Sequence, residues 1–443
     1  MPTFSIENFG CRATDADAAS IRAGMLARGM ELSHDHACAD FVVLNTCTVT
    51  AAAEAQARDA IRKIRRANPA ARIVVTGCYA QRAPEEIASL DGVTWVVGNG
   101  RQSEIPGLVA GGNSPHPACD FVAADTIEAA PLSLASGPAK ILTSDILEAA
   151  AFSIEAVSVS APERTRPILK VQDGCNNRCA YCVIPFVRGR SRSLGPDAVI
   201  RNARELIAAQ HAKEIVLSGI NLGSYGRDLA PRVHLRDLVE RLLAETDVEQ
   251  LRFSSIEPQD VTEDFVALVA STGRIAPHFH VPLQSGSDRI LRAMHRWYRA
   301  AHYAERISTI RRLLPDAAIG ADVIVGFPGE TDQDFAQTVA FIRDLPFTYL
   351  HVFSFSTRPG TVAARLNDQV PVEKIRERAR ALRALGEEKT GAFRASQAGR
   401  TLRGLTLHRQ GDTWTEALTG NYLKVRIPGL YAANQWHFAS IDN

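Results

Sequence analysis

Apolar residues recur along the first hundred positions in short blocks separated by longer amphipathic stretches. "TFSIENFG" (Thr3–Gly10), "DFVVLNTC" (Asp40–Cys47), "RIVVTGC" (Arg72–Cys78) and "WVVGN" (Trp95–Asn99) have the length and β-branched content of strands. Between them, Asp15–Arg28 places Ile21, Met25 and Leu26 on one helical face, and Ala51–Arg66 reads as an Ala- and Arg-rich helix. Parallel neighbours need a crossover, usually helical, so this alternation predicts an α/β domain with a doubly wound parallel sheet. The rhythm lapses from about residue 105 to 165, where Ala, Ser, Pro and Gly predominate. That stretch reads as linker, with a short strand or helix possible near Lys140–Ser153. From Ile168 the rhythm resumes, with candidate strands at Ile168–Val171, Glu214–Ser218, Leu251–Ser254, His278–Val281, Ile319–Val325 and Leu350–Phe355. One intervening helix, Asp197–Gln210, opens after Pro196 and aligns Val199, Ala203, Leu206 and Ile207. Six βα units are fewer than the eight of a closed barrel, so the pattern predicts a partial (β/α)6 barrel. A long basic helix follows Glu373 to about Ala395. The segments "TLRGLTLH", "TEALTGNYLKVRI" and "WHFASI" then predict a small β-barrel. The expected domains are 1–112, a linker at 113–164, a barrel at 165–375, a helical connection at 376–395 and a β domain at 396–443.

Composition narrows the class. With 46% hydrophobic and 22% charged residues, the chain has the make-up of an ordinary globular protein. No apolar run reaches the roughly 18 residues of a membrane span. Residues 1–10 have neither the basic nor the apolar region of a signal peptide, so a cytoplasmic location is the expectation. The net charge of +1 excludes a polycation, yet basic residues cluster: nine Lys/Arg against four Glu in 373–403, and seven Arg against two acids in 288–312. Each run alone suits a solvated helix face; together they favour a polyanionic partner.

The eight cysteines carry the chemistry. Cys175, Cys179 and Cys182 form a C-x3-C-x2-C set just past the first barrel strand, on the edge where such folds place ligands. Structural zinc wants four ligands and commonly uses paired knuckles, and no His precedes His211 nearby. Three thiolates on a four-iron cluster would leave one iron open for a small molecule. Spacing and context favour iron–sulfur over zinc or inert buried thiols. Cys11, Cys47 and Cys78 each lie at or just past the end of a predicted parallel strand, so one sheet edge can bring them together. Three unrelated buried cysteines are the alternative.

The C-x3-C-x2-C set with Tyr181 before its last cysteine resembles the radical S-adenosylmethionine superfamily. "GCRATDAD", "NTCTVT" and "GCYAQ" resemble the three cysteine motifs of the methylthiotransferase family within it. "LKVQDGCNNRCAYCVIPFVRGRSRS", "EIVLSGINLGSYG", "RFSSIEP", "HFHVPLQSGSDRIL" and "DVIVGFPGET" resemble further family blocks, and "TGNYLKVRI" its RNA-binding TRAM domain. Thr14 stands where the family usually has Asn. The resemblance implies two [4Fe-4S] clusters, one on Cys175, Cys179 and Cys182 that cleaves S-adenosyl-L-methionine to a radical, and an auxiliary one on Cys11, Cys47 and Cys78. No acid–base residue is implied as catalytic. Cys38 and Cys119 match no family ligand and are expected to be structural.

The same resemblance implies tRNA as substrate, a flavodoxin- or ferredoxin-like electron donor, no membrane and a monomer. Tyr181, Gly219, Asn221, Ser255, Glu257 and Gln284 are the expected cofactor-binding residues; each single polar one also suits a loop hydrogen bond. Three branches compete: threonylcarbamoyl-adenosine in tRNA, isopentenyl-adenosine in tRNA, and an aspartate of a ribosomal protein. A non-catalytic iron–sulfur RNA-binding protein is the rival from another class. "INLGSYG" and "HVFSFSTRPGT" resemble the threonylcarbamoyl branch. That substrate carries a carboxylate, which needs a cationic or amide-rich pocket. Arg188, Arg296, Arg299 and Arg358 are the expected substrate-binding residues.

Overall fold

The computed structural model describes residues 1–111, 138–148 and 165–441. The chain separates into two compact units, Met1–Ala149 with Phe186–Arg188, and Ala150–Pro185 with Gly189–Asn443.

In the first unit β1 (Thr3–Asn8), β2 (Glu31–Leu32), β3 (Phe41–Thr46), β4 (Arg72–Gly77), β5 (Val93–Val97) and β6 (Lys140–Leu142) form a parallel sheet in the order β2-β1-β3-β4-β5-β6. Val42, Leu44, Ile73 and Val75 face one helical layer, and Phe41, Val43 and Val74 face the other. This period of two, buried on both sides, is why the central strands read as unbroken apolar runs. Helix Ala51–Ala67 opens on a Thr50 cap whose hydroxyl accepts from the Ala53 amide. β6 lies inside the stretch expected to be linker: Lys140–Leu142 pair with Trp95–Val97, so the sheet recruits part of it as an edge strand. Residues 112–137, with Cys119, and 149–164 lie outside the described residues.

In the second unit β7 (Ile168–Asp173), β8 (Arg192–Ser193), β9 (Glu214–Gly219) and β10 (Gln250–Phe253) form one sheet, with β8 antiparallel at its edge. β11 (His278–His280), β12 (Ala318–Val325) and β13 (Tyr349–Ser354) form a second, parallel sheet. Bridges Leu251↔Ile275 and Ser255↔His280 join β10 to the β11 side, giving the open wall β7-β9-β10-β11-β12-β13 of a partial barrel. Ile215, Leu217, Phe279, Ile319, Ala321 and Val323 point outward into the core shared with the helices. Their neighbours in sequence therefore line the lumen.

The basic helix runs Val372–Ser396 and is part of the body, not a free connection. Ala379, Leu382 and Leu385 join the main core, and Arg378 pairs with buried Glu330 at 2.6 Å. Arg378 apart, its charged positions are exposed or half-buried because the apolar stripe is claimed by the barrel. The last strands, β14 (Thr401–Gln410), β15 (Trp414–Thr419), β16 (Lys424–Pro428) and β17 (Trp436–Ser440), form a curled antiparallel sheet in the order β16-β15-β14-β17, consistent with a small barrel. "TEALTGNYLKVRI" is thus a hairpin of β15 and β16, its turn made by Tyr422 at φ +68°. Buried Arg252 ties this sheet to the barrel floor: it grips Glu214 at 2.8 and 2.9 Å and donates to the Gly420 and Thr419 carbonyls at 3.0 and 3.2 Å. Among the described residues, no helix is long and apolar enough to cross a membrane.

Candidate functional site

In the first unit, β1, β3 and β4 are adjacent and parallel, so their carboxyl ends share one edge. Cys11 follows β1, Cys47 directly follows β3, and Cys78 directly follows β4 at the start of the helix Cys78–Arg82. The loop after β1 comes so close that a Cβ on Gly10, whose φ is +143°, would lie 3.0 Å from the Cys47 Cβ. Thr14 is buried. Its hydroxyl donates to the Cys11 carbonyl at 2.7 Å, and its own carbonyl accepts from the Asn45 carboxamide at 2.7 Å. A Thr therefore suffices to close the turn that carries Cys11. Burial, and then the Cys78 charge, push the Cys47 thiol up to about 12, with Cys11 adding to the effect. Burial likewise raises Cys78, against the Arg188 charge.

Arg188 sits in this unit, fully buried, and donates from Nε to Cys78 Sγ at 3.2 Å and from Nη2 to Asp17 at 2.8 Å. The expectation that it meets substrate or phosphate is corrected: a guanidinium closed off between a thiol and a carboxylate is not offered to RNA. Asn99 also donates to Cys78 Sγ, at 3.7 Å, and to the Val187 carbonyl at 2.7 Å. Asp17 and Asn99 were not legible in the sequence, since no spacing links them to a cysteine. Cys38 lies in the turn His36–Cys38 before β3, on the opposite sheet edge, and its carbonyl accepts from the Thr3 hydroxyl at 3.2 Å.

In the second unit, Cys175, Cys179 and Cys182 occupy the loop after β7. The Cys182 amide donates to the Cys179 carbonyl at 3.1 Å, and the Asn177 amide to Cys175 Sγ at 3.4 Å. The loop is clipped in place: the Ala180 amide donates to the Met294 carbonyl, and its carbonyl accepts from Ala363. Tyr181 packs against the cluster of Ala180, Ile290, Met294 and Phe327. Burial and then the Cys179 charge push Cys182 up to about 12. Arg296, nearly inaccessible, donates to Cys179 Sγ at 3.2 Å and pairs with Glu257.

Asn221 donates to Cys175 Sγ at 3.9 Å, while its carboxamide oxygen is buried with no hydrogen-bond partner. Gln172, not legible in the sequence, holds this corner. It accepts from the Asn221 amide at 2.8 Å and donates to the Asp173 and Gly174 carbonyls and to Ser191. A Cβ on Gly219 would lie 2.8 Å from that carboxamide oxygen, which explains the glycine by close approach to Gln172. Gln284 takes φ +67°, with its amide on the Asp322 carbonyl at 2.8 Å and its carbonyl accepting from Ile324 at 2.9 Å. Ser255 is exposed beside the β11 bridge. Arg299 is exposed at the start of helix Ala300–Leu313. Arg358 is buried and bonds its own loop, to the Thr357 carbonyl at 2.8 Å and Ser356 at 3.2 Å. The structure thus gathers Tyr181, Asn221, Glu257 and Arg296 at the second thiol set. Two of the four expected substrate arginines, Arg188 and Arg296, serve cysteines instead.

Both sets fit a cluster better than free thiols. Each set brings three cysteines together with an arginine N–H on one sulfur, Cys47 and Cys78 buried in the first and all three half-buried in the second, an arrangement that suits sulfurs held as thiolate ligands. The orphaned Asn221 oxygen at the second set suits a bound donor such as an amino group.

A family model described as uncharacterized protein family UPF0004 matches residues 3–98, and the radical SAM superfamily model matches residues 169–342. The chain is 35% identical over 433 residues to threonylcarbamoyladenosine tRNA methylthiotransferase MtaB of Bacillus subtilis, covering 97% of this chain and 91% of that one. It belongs to the radical SAM methylthiotransferase family. The Aquifex aeolicus MtaB is 34% identical, with 96% of each chain covered. The tRNA-2-methylthio-N(6)-dimethylallyladenosine synthase of Syntrophobacter fumaroxidans is 34% identical over 85% of this chain and 78% of that one. Among solved structures, the radical S-adenosylmethionine methyltransferase TsrM of Kitasatospora setae superposes with a TM-score of 0.55 at 16% identity, covering 80% of this chain and 73% of that one, a likeness of fold. As a radical SAM methylthiotransferase the protein uses S-adenosyl-L-methionine and [4Fe-4S] clusters.

Proposed function

We propose that this methylthiotransferase adds a methylthio group to C2 of N6-threonylcarbamoyladenosine at position 37 of tRNA. The observation that carries the reading is near-full-length identity of 32–35% to several threonylcarbamoyladenosine enzymes, the first two aligned over 97% and 96% of this chain.

Cys175, Cys179 and Cys182 would hold the cluster that binds S-adenosylmethionine, and Cys11, Cys47 and Cys78 the auxiliary one. The bound pair supplies a deoxyadenosyl radical, which acid–base side chains cannot replace at an aromatic C–H. Arg296 holds the Cys179 sulfur and Glu257 in one buried group, and the free Asn221 oxygen is placed to accept from the cofactor's amino group. Gln172 fixes that asparagine from behind. Arg188 and Asn99 support Cys78 in the same manner. Ser255 and Gln284 stand at the strand ends for ribose contacts, with Gly219 leaving the backbone close by.

The C-terminal sheet is our candidate tRNA surface. Arg403 stacks on Trp436 at 3.9 Å, Arg426 on Trp414 at 4.4 Å, and Phe438 is 74% exposed. Cation and ring together suit phosphate and base. We further place the enzyme in the cytoplasm as a monomer that takes electrons from a flavodoxin- or ferredoxin-like donor.

Nucleoside mass spectrometry of tRNA from a strain lacking the gene tests the reading. Loss of the methylthio form of threonylcarbamoyladenosine, with its precursor accumulating, is expected. Loss of methylthio-isopentenyladenosine or of a ribosomal aspartate modification instead would contradict it.

A further inference from the structure

The lumen of the partial barrel contains a polar group apart from the cysteines. His280 on β11, Asp322 on β12 and His351 on β13 bring one ligand-type atom each to within 4.8 Å of the others. Asp322 Oδ1 lies 2.8 Å from His280 Nε2 and 3.3 Å from His351 Nδ1. Their sequence neighbours Phe279, Ala321 and Val323 belong to the outer core, and Val352 packs against it, so the three side chains share the inner face. Below them Tyr349 closes the floor: its hydroxyl lies 3.0 Å from His280 Nδ1 and 2.8 Å from His278 Nε2, and Tyr422 stacks on His278. Gly320 is needed there, because a Cβ would collide with the Tyr349 ring.

The three members differ in freedom. His280 has both ring nitrogens engaged, by Asp322 and Tyr349. Asp322 is held as a carboxylate well below the usual range: burial opposes this, but the hydrogen bonds from His280 and His351 prevail. His351 uses Nδ1 on Asp322, and its side chain is 54% exposed. Its Nε2 is the ring nitrogen that neither Asp322 nor Tyr349 engages, beside the partly exposed Asp322 carboxylate. The Asp322 contact fixes the orientation of the ring, and an N–H at Nε2 would meet an anion.

Two residues further along β13 on the same face, Phe353 is 42% exposed. Two residues of strand span about 7 Å. Beside it, Ile324 and Phe355 pack in the cluster that includes Tyr181 of the cysteine loop. The lumen thus grades from an apolar wall next to the cysteine loop to a polar floor.

We propose that this face of β13 reads the substrate's amino-acid side chain, His351 taking the threonylcarbamoyl carboxylate and Phe353 the face of the adenine. The inference rests on the threonylcarbamoyladenosine reading above. The ring and the carboxylate of that nucleoside are separated by an N6 chain of the length that one strand repeat spans. Neither Arg296 nor Arg188 is available for the carboxylate, as both are committed to cysteines. Among the described residues, the charged and titratable groups around the site include His278, His280, Tyr303, Tyr349, Tyr422 and the floor group Glu214, Arg252 and Arg166. A divalent metal on the two histidines and Asp322 is the competing occupant, and the test includes it.

The test uses reconstituted full-length enzyme and three anticodon stem-loops, bearing the threonylcarbamoyl acid, its methyl ester and an isopentenyl group. Wild type, His351→Phe, His351→Lys and Phe353→Ala are compared for KM and kcat of methylthio formation, with deoxyadenosine release and metal content as controls. For His351→Phe we expect KM for the acid to rise about ten- to hundredfold, the ester to be used as wild type uses it, and iron and deoxyadenosine release to be unchanged. His351→Lys restores the preference for the acid, and Phe353→Ala weakens both substrates alike. Equal losses on acid and ester with His351→Phe, or no change in KM, would overturn the subsite. So would one equivalent of a non-iron metal in wild type that His351→Phe removes. A wild-type enzyme active only on an isopentenyl stem-loop would reject the functional reading itself, and the subsite with it.

Discussion

The two cysteine triads are built in opposite ways. Cys175, Cys179 and Cys182 fall within eight residues of one loop, whereas Cys11, Cys47 and Cys78 are 36 and 31 residues apart and meet only because β1, β3 and β4 are neighbours in a parallel sheet. The loop triad depends on local clips from Met294, Ala363 and Asn177, the sheet triad on the whole βαβ frame. Yet the two converge on one device. In each, a buried arginine donates to one cysteine sulfur at 3.2 Å and pairs with a carboxylate, Arg296 with Glu257 and Arg188 with Asp17. A buried sulfur that must be anionic needs a fixed cation, and a buried cation needs its own counter-charge.

The largest effect is expected at the loop triad. Replacing Cys175, Cys179 and Cys182 together with Ala should reduce deoxyadenosine release to background and leave about half the iron of the reconstituted enzyme. Retained cofactor cleavage would mean that this loop is not the radical site.

A smaller effect is expected at the two arginines. Arg188→Leu removes the buried ion pair to Asp17, a change of the kind that costs about 3–5 kcal/mol. Its thermal unfolding should fall accordingly, and methylthio transfer should drop while cofactor cleavage persists. Arg296→Leu should instead lower cofactor cleavage itself, because Cys179 loses its donor. Identical phenotypes for the two variants would show that the arginines do not serve separate centres.

The smallest effect belongs to the tRNA surface. The double variant Arg403→Ala, Arg426→Ala should weaken tRNA binding several-fold and reduce its salt dependence by roughly one unit of slope per lost phosphate contact. Cofactor cleavage without tRNA should not change. An unaltered salt slope would return both arginines to ordinary surface charges.

The same contrast explains what was legible in the sequence. The loop triad is a local string, so spacing alone exposed it. The sheet triad was visible only through strand prediction, since a βα unit's length sets its spacing and unrelated cysteines can share it. Strand positions were read to within about two residues because apolar blocks in a parallel sheet are buried on both faces. Lys140–Leu142 was missed as a definite strand because an edge strand with exposed positions has little apolar pattern. Gln172, Asp17, Asn99 and the His280–Asp322–His351 group were not read, because their roles arise from alternation across neighbouring strands and from contacts distant in sequence. Arg188 and Arg296 were read as substrate contacts for the converse reason: sequence shows a charge near a motif but not whether a cysteine or the solvent claims it.

The proposed function divides the labour between the triads, radical generation at one and sulfur transfer at the other. The direct measurement is simultaneous quantification of deoxyadenosine and methylthiolated threonylcarbamoyladenosine from the Cys11→Ala, Cys47→Ala, Cys78→Ala enzyme after anaerobic reconstitution with tRNA. With the labour divided in this way, deoxyadenosine release continues and no methylthio product forms. Product formed at the wild-type yield would contradict it.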